Sequence, residues 1–140
     1  MSAMRRWYRD LPARGFWIAS GWFLVGVIVV LSLVSLPPVG PDIPQGDKYK
    51  HVLAYLVLTL SFAQISASMR VLLVHSAFFI ALGAGLEGLQ SLTPDRQLEG
   101  ADMLANATGV LIALALARTG LRDGLASALG VGKRAAGDTR

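Results

Sequence analysis

From residue 16 to residue 36 the chain carries no charged side chain. A helix needs about 20 apolar residues to cross a hydrocarbon core about 30 Å thick, so this stretch is long enough to span a bilayer. Inside lipid the backbone finds no water to bond, which leaves a helix as the fold open to a single apolar segment. Three more apolar blocks follow, at about 49–68, 71–92 and 101–117. The chain is 54% hydrophobic and 16% charged, with mean hydropathy +0.53, and its apolar residues lie in continuous runs that show neither the helical nor the strand period of a soluble core. The expected fold is all-α: a four-transmembrane-helix bundle over 16–117, between a basic N-terminal segment (1–15) and a basic tail (118–140). The loops are too short to hold a soluble domain of ordinary size.

Basic residues are sorted along the chain. Arg5, Arg6, Arg9 and Arg14 precede the first block, Arg70 lies between the second and third, and Arg118, Arg122, Lys133, Arg134 and Arg140 follow the fourth. The two other connections hold only Lys48, Lys50 and Arg96, whereas Asp42, Asp47, Glu87, Asp95, Glu99 and Asp102 all fall on their side. The positive-inside rule then predicts both termini in the cytoplasm, an N-in/C-in multi-pass protein of a plasma membrane. A sequence pI near 10 would suggest nucleic acid in a soluble chain. Here the partner expected for the positive end is anionic phospholipid at the cytoplasmic face of the lipid bilayer, and nucleic-acid binding need not be invoked. The first block exceeds the roughly 7–15 apolar residues of a secretory signal and lacks a small-x-small exit, so it reads as a retained helix. With no cysteine, disulfides and thiolate metal sites are excluded.

Punctuation sharpens the spans. Pro37-Pro38 ends the first, Asp47 is placed to cap the second, Gln64 to Arg70 form a tight turn, and Thr93-Pro94 closes the third. Beyond Arg118 a short helical extension is expected, then a mobile tail rich in Gly and Ala. Lipid gives helices no hydrophobic reason to associate, so small residues should mark the packing faces. Those residues are Gly21 and Gly26 in the first span, the pairs Ala81/Gly85 and Ala84/Gly88 in the third, and Ala101, Ala105 and Gly109 in the fourth. Trp7, Tyr8, Trp17 and Trp22 suit an interfacial belt, and His75 reads as an interfacial residue near the inner end.

Two motifs are coincidences of composition. Gly83, Gly85 and Gly88 spell a dinucleotide fingerprint, but inside an apolar span and without the strand-to-helix turn that motif needs. Asn106-Ala107-Thr108 matches a glycosylation acceptor within a span. No Walker loop, H-E-x-x-H or G-x-S-x-G occurs.

What remains is a set of polar residues where an apolar chain tolerates them least. Asp47, His51 and Tyr55 recur at spacing four, Glu87 and Gln90 lie three apart, and Asp102 and Asn106 four apart, so each group shares one helical face. A mid-span charge costs roughly 2.5–3.5 kcal/mol on insertion scales, which favours turning these stripes toward one another. A shared outward-facing pocket is expected, formed by Asp47, Lys48, His51, Tyr55, Glu87, Gln90, Arg96, Asp102 and Asn106.

The ordered pattern Asp47-Lys48-x-x-His51-x-x-x-Tyr55, Glu87-x-x-Gln90-x-x-x-Pro94-x-Arg96 and Asp102-x-x-x-Asn106-x-x-Gly109 resembles the VanZ-like integral membrane proteins of bacteria. The resemblance covers 47–109. It departs from the family where a second glycine often follows, a place held here by Ala113. It implies a small multispanning protein of the bacterial plasma (inner) membrane, linked in some members to resistance to teicoplanin-type glycopeptides, and supplies no mechanism. Three functions fit the residues. The pocket could bind an envelope precursor, a lipid head group or a glycopeptide, with Lys48 and Arg96 on anionic groups. It could be an enzyme acting on an envelope lipid or precursor, with His51 and Glu87 as a catalytic acid-base pair, or with His51, Glu87 and Asp102 as ligands of a divalent metal. An ion or proton pathway ranks last, because the inner halves of the spans hold few ionisable groups.

Overall fold

The computed structural model describes residues 2–34, 44–92 and 99–131. A short helix α1 (Ser2–Trp7) leads into α2 (Arg14–Leu33); α3 (Gly46–Ile65), α4 (Met69–Gln90) and α5 (Gly100–Ala117) follow, and a 3-10 turn at Leu121–Asp123 runs into the one-turn helix α6 (Gly124–Ala128). Three of these, α2, α4 and α5, are long and apolar enough to cross a membrane, which marks the chain as a membrane protein. Of the four expected spans, α3 falls short of that composition. It has the length, but opens on Asp47, Lys48, Lys50 and His51.

The element ends follow local chemistry. Ser68 caps α4, its hydroxyl accepting from the Val71 amide at 3.3 Å. Asp47 does not cap α3: the residue preceding that helix is Gln45, in the left-handed region at φ 58°, and no side chain bonds the first-turn amides. The Asp47 carboxylate lies one residue inside the helix, where it still complements the helix dipole.

Helix α3 is the centre of the molecule, packing against α2, α4 and, most extensively, α5. Contacts of Lys48 with Asp102, of His51 with Asn106 and of Val52 with Gly109 run in the same order along both helices, so α3 and α5 lie parallel. Their seam is built from small residues. Ala105, Gly109, Ala113 and Ala117 are buried along one face of α5, and a Cβ added at Gly109 would lie 2.3 Å from the Val52 carbonyl oxygen and 3.0 Å from the Leu56 amide nitrogen. Backbone meets backbone there, as small residues allow in membrane bundles. Ala101, expected in this row, is exposed, and Ala113 occupies the seam without disrupting it.

The glycines of α4 do not follow the expected rows. Ala81, Ala84 and Gly85 are exposed, and a Cβ at Gly85 or Gly88 would meet nothing within 4 Å. The packing face runs instead through Leu72, His75, Ser76, Phe79, Gly83, Leu86 and Glu87. Volume on the opposing helices decides this: Tyr55 of α3 fills the space that Gly83 leaves. Likewise Gly21 of α2 receives Phe62, whereas Gly26 faces open space.

At the end of the bundle formed by the α3–α4 turn, three separate segments are tied together. The Arg9 amide donates to the Ile65 carbonyl (2.7 Å) and the Ala67 amide to the Trp7 carbonyl (2.9 Å). The Ser66 carbonyl accepts from Arg9 Nε (3.2 Å) and Arg122 Nη2 (2.9 Å). Arg9 also pairs with Asp123 at 2.6 Å. Burial, and then the like charge of Arg9, lowers the Arg122 guanidinium from its ordinary value, with Asp123 pulling the other way. Gln64 donates to the Leu121 carbonyl (2.7 Å) and accepts from the Leu125 amide (2.9 Å). Residues 121–128 are therefore folded back on α3.

Candidate functional site

The opposite end holds the polar residues singled out above. Helix α3 contributes Asp47, Lys48 and His51 from its first two turns, and α5 contributes Asp102 and Asn106. The 47/51 and 102/106 spacings turn each pair toward the seam. Lys48 Nζ donates to Asp102 Oδ1 at 2.6 Å and to Glu99 Oε2 at 2.5 Å. His51 Nδ1 lies 2.9 Å from Asn106 Oδ1. The amide oxygen is only an acceptor, so this contact requires the proton on Nδ1 and leaves the Nε2 lone pair free in the neutral ring. Nε2 faces Asp47 Oδ2 and Asp102 Oδ2, each 3.8 Å away.

Two further polar groups lie deeper. Glu87 of α4 is 3% exposed, and Asp102, His51, Asp47 and Glu99 are the charges that act on it. No hydrogen bond to its carboxylate is found among the described residues, so it is not joined to His51, Tyr55 or Asn106 as interhelical glue. Tyr55, one turn inward from His51 on the same face, is 2% exposed, and its hydroxyl has no hydrogen-bond partner among the described residues. Gly83 lets α4 approach this layer: a Cβ there would lie 2.8 Å from Asn106 Nδ2 and 3.0 Å from the Tyr55 hydroxyl.

Asp47, Lys48, His51, Asp102 and Asn106 are thus in mutual contact, with Glu87 and Tyr55 behind them. Gln90 turns to the other side of α4, where its amide donates to the Ser32 carbonyl of α2. Arg96 lies outside the described residues, as do Pro94 and Asp95. Among the described residues the cation on Asp102 is Lys48, held also by Glu99, a residue given no role from sequence. The signal was present, because Asp102 follows Glu99 by three residues and both lie at the start of one helix.

His75 also differs from its expected role. It is buried at the α3–α4 turn end among Trp7, Tyr8, Trp22, Phe62 and Phe79, with ring centroids 4.8–6.4 Å away. Its Nδ1 lies 3.2 Å from the Ser66 hydroxyl. Trp22 Nε1 donates to the Tyr8 hydroxyl at 3.0 Å. Three of the four belt aromatics therefore form a ring cluster around a histidine. Two cavities, of about 480 and 500 Å³, also lie at this end, the first between Trp17, Gly21, Ser61, Gln64 and Leu125.

No family model matches the chain, and no curated protein or solved structure matches it.

Proposed function

We propose that this chain is a VanZ-like protein of the bacterial inner membrane whose polar cluster binds the head group of an envelope lipid or lipid-linked precursor. Its role would be in envelope homeostasis or tolerance of teicoplanin-type glycopeptides. In this reading α3 is the fourth span, with Asp47, Lys48 and His51 at head-group depth. Both termini are cytoplasmic, with Arg5, Arg9, Arg14, Arg118 and Arg122 gathered at the inner surface, where anionic lipid attracts them.

One observation carries the reading. Lys48 and His51 of α3 meet Asp102 and Asn106 of α5 at one end of the bundle, with the buried carboxylate of Glu87 behind them. Buried ionisable groups in a membrane bundle are costly to keep without a use, and here they converge where a head group would lie. The ordered motif over 47–109 supports the family reading independently.

The test is expression in a teicoplanin-sensitive bacterium, comparing the wild-type chain with Glu87→Gln and His51→Ala. The wild type should raise the inhibitory concentration, and both variants should lose that effect at unchanged membrane levels. No effect of the wild type, or full effect of both variants, overturns the proposal. Loss of folded protein in both would assign these side chains to structure.

A further inference from the structure

We infer that His51, Asp47 and Asp102 form a binding site for a divalent cation of the zinc or manganese class. One ligand atom from each lies within 4.8 Å of the others. His51 Nε2 lies 3.8 Å from Asp47 Oδ2 and 3.8 Å from Asp102 Oδ2. Metal bonds of about 2.0–2.2 Å place tetrahedral ligand atoms about 3.3–3.6 Å apart, so a small inward movement closes the set on an ion. Asp47 is free to make it, its side chain being 68% exposed.

The surroundings are those of a metal ligand set. Asn106 holds His51 by Nδ1 and so presents Nε2, the arrangement by which an outer partner fixes the tautomer of a ligating histidine. Asp102 divides its oxygens, Oδ1 to Lys48 and Oδ2 toward His51. A second, independent observation comes from α4. Glu87 is more than nine-tenths buried beside the charges of Asp102, His51 and Asp47, and no hydrogen bond reaches its carboxylate among the described residues. Among the described residues Lys48 pairs with Glu99 and Asp102 and leaves Asp47 to His51. An imidazole nitrogen with carboxylate oxygens suits a borderline ion over calcium or magnesium, which prefer all-oxygen shells. Open coordination positions on the Asp47 side would accept a phosphate oxygen; that consequence rests on the head-group reading, and the cation site does not.

The test uses the purified full-length chain in detergent micelles, titrated with Mn²⁺ and followed by electron paramagnetic resonance, and with Zn²⁺ followed by calorimetry. One ion per chain is expected. Asp47→Asn, at an exposed position with no packing role, should weaken binding at least ten-fold with helix content unchanged, and His51→Gln should do the same. Absence of binding of either ion by the wild type at millimolar concentration overturns the inference, as does wild-type affinity in both variants. Either failure leaves the susceptibility test of Glu87→Gln unaffected, so the two proposals fall separately.

Discussion

Replacing Gly109 by alanine tests the architecture of the α3–α5 seam directly. In a helix interior exposed to its surroundings, Gly→Ala gains about 1 kcal/mol from propensity alone. At Gly109 the new methyl would sit 2.3 Å from the Val52 carbonyl oxygen and 3.0 Å from the Leu56 nitrogen, both backbone atoms that cannot rotate away. Ordinary contact is about 3.5 Å, so α3 and α5 must part by roughly 1 Å, and a gap of that size forfeits about a quarter to a half of each dispersion contact it opens. Overpacking of this kind costs about 1–3 kcal/mol, occasionally more. The steric term wins, and Gly109→Ala should be less stable than the wild type by about 2 kcal/mol. Gly85→Ala is the matched control in α4, where the methyl meets nothing within 4 Å. It should be neutral or slightly stabilising. Thermal unfolding of the three proteins in one detergent, followed by circular dichroism, measures the difference. A Gly109→Ala protein as stable as the wild type would refute the close approach of the two backbones, and equal losses in both variants would show that the position of the methyl is irrelevant.

Two further outcomes are expected. Phe62 is fully buried against Gly21, Trp22, His75 and Phe79, so Phe62→Ala should cost about 3–5 kcal/mol in chemical denaturation; a loss below about 1 kcal/mol would show that the aromatic cluster is loosely packed. Gln64→Ala removes two of the bonds that hold residues 121–128, each worth about 1 kcal/mol, so amide exchange at Leu125 should accelerate while exchange near Asp102 stays the same. Unchanged exchange at Leu125 would mean that the Gln64 bonds do not hold this segment.

Much of this architecture can be read from the residues because a bilayer leaves few alternatives. Uncharged length predicts α2, the proline and serine signals bring the α4 boundaries within a few residues, and spacing four places His51 above Tyr55 and Asp102 above Asn106. What spacing cannot supply is which helix lies opposite. Small-xxx-small rows in α4 nominate Ala81, Ala84, Gly85 and Gly88, yet the large side chain that needs room, Tyr55, projects from α3 at the level of Gly83. The same limit applies to Gln90: its spacing from Glu87 suggests a common face, but three residues subtend about 300° at 3.6 per turn. The remaining offset is enough for one side chain to meet α2 while the other turns to the cluster. The cage around His75 escapes detection for a related reason. Its members are far apart in the chain, and a lone histidine carries no periodicity of its own. The fold at Leu121–Ala128 depends on Gln64, Ser66 and Arg9, partners that nothing in the tail itself reveals.

Because α3 and α5 touch backbone to backbone, the two behave as a single rigid plank, and every first-line group of the cluster is mounted on it. Helix α2 stands outside that plank. It meets the rest through Gly21 against Phe62 and Ile65, Trp22 against Phe62, His75 and Phe78, the buried Val25 and Ile28, and the Gln90 amide on Ser32, with Phe23, Val30 and Leu31 turned outward. Its outer side can therefore be rewritten without changing the separation of His51 from Asp102. Probes or cross-linkers belong at Phe23 and Leu31, where they will report on the surrounding lipid and leave the chemistry at the far end of α3 as it was.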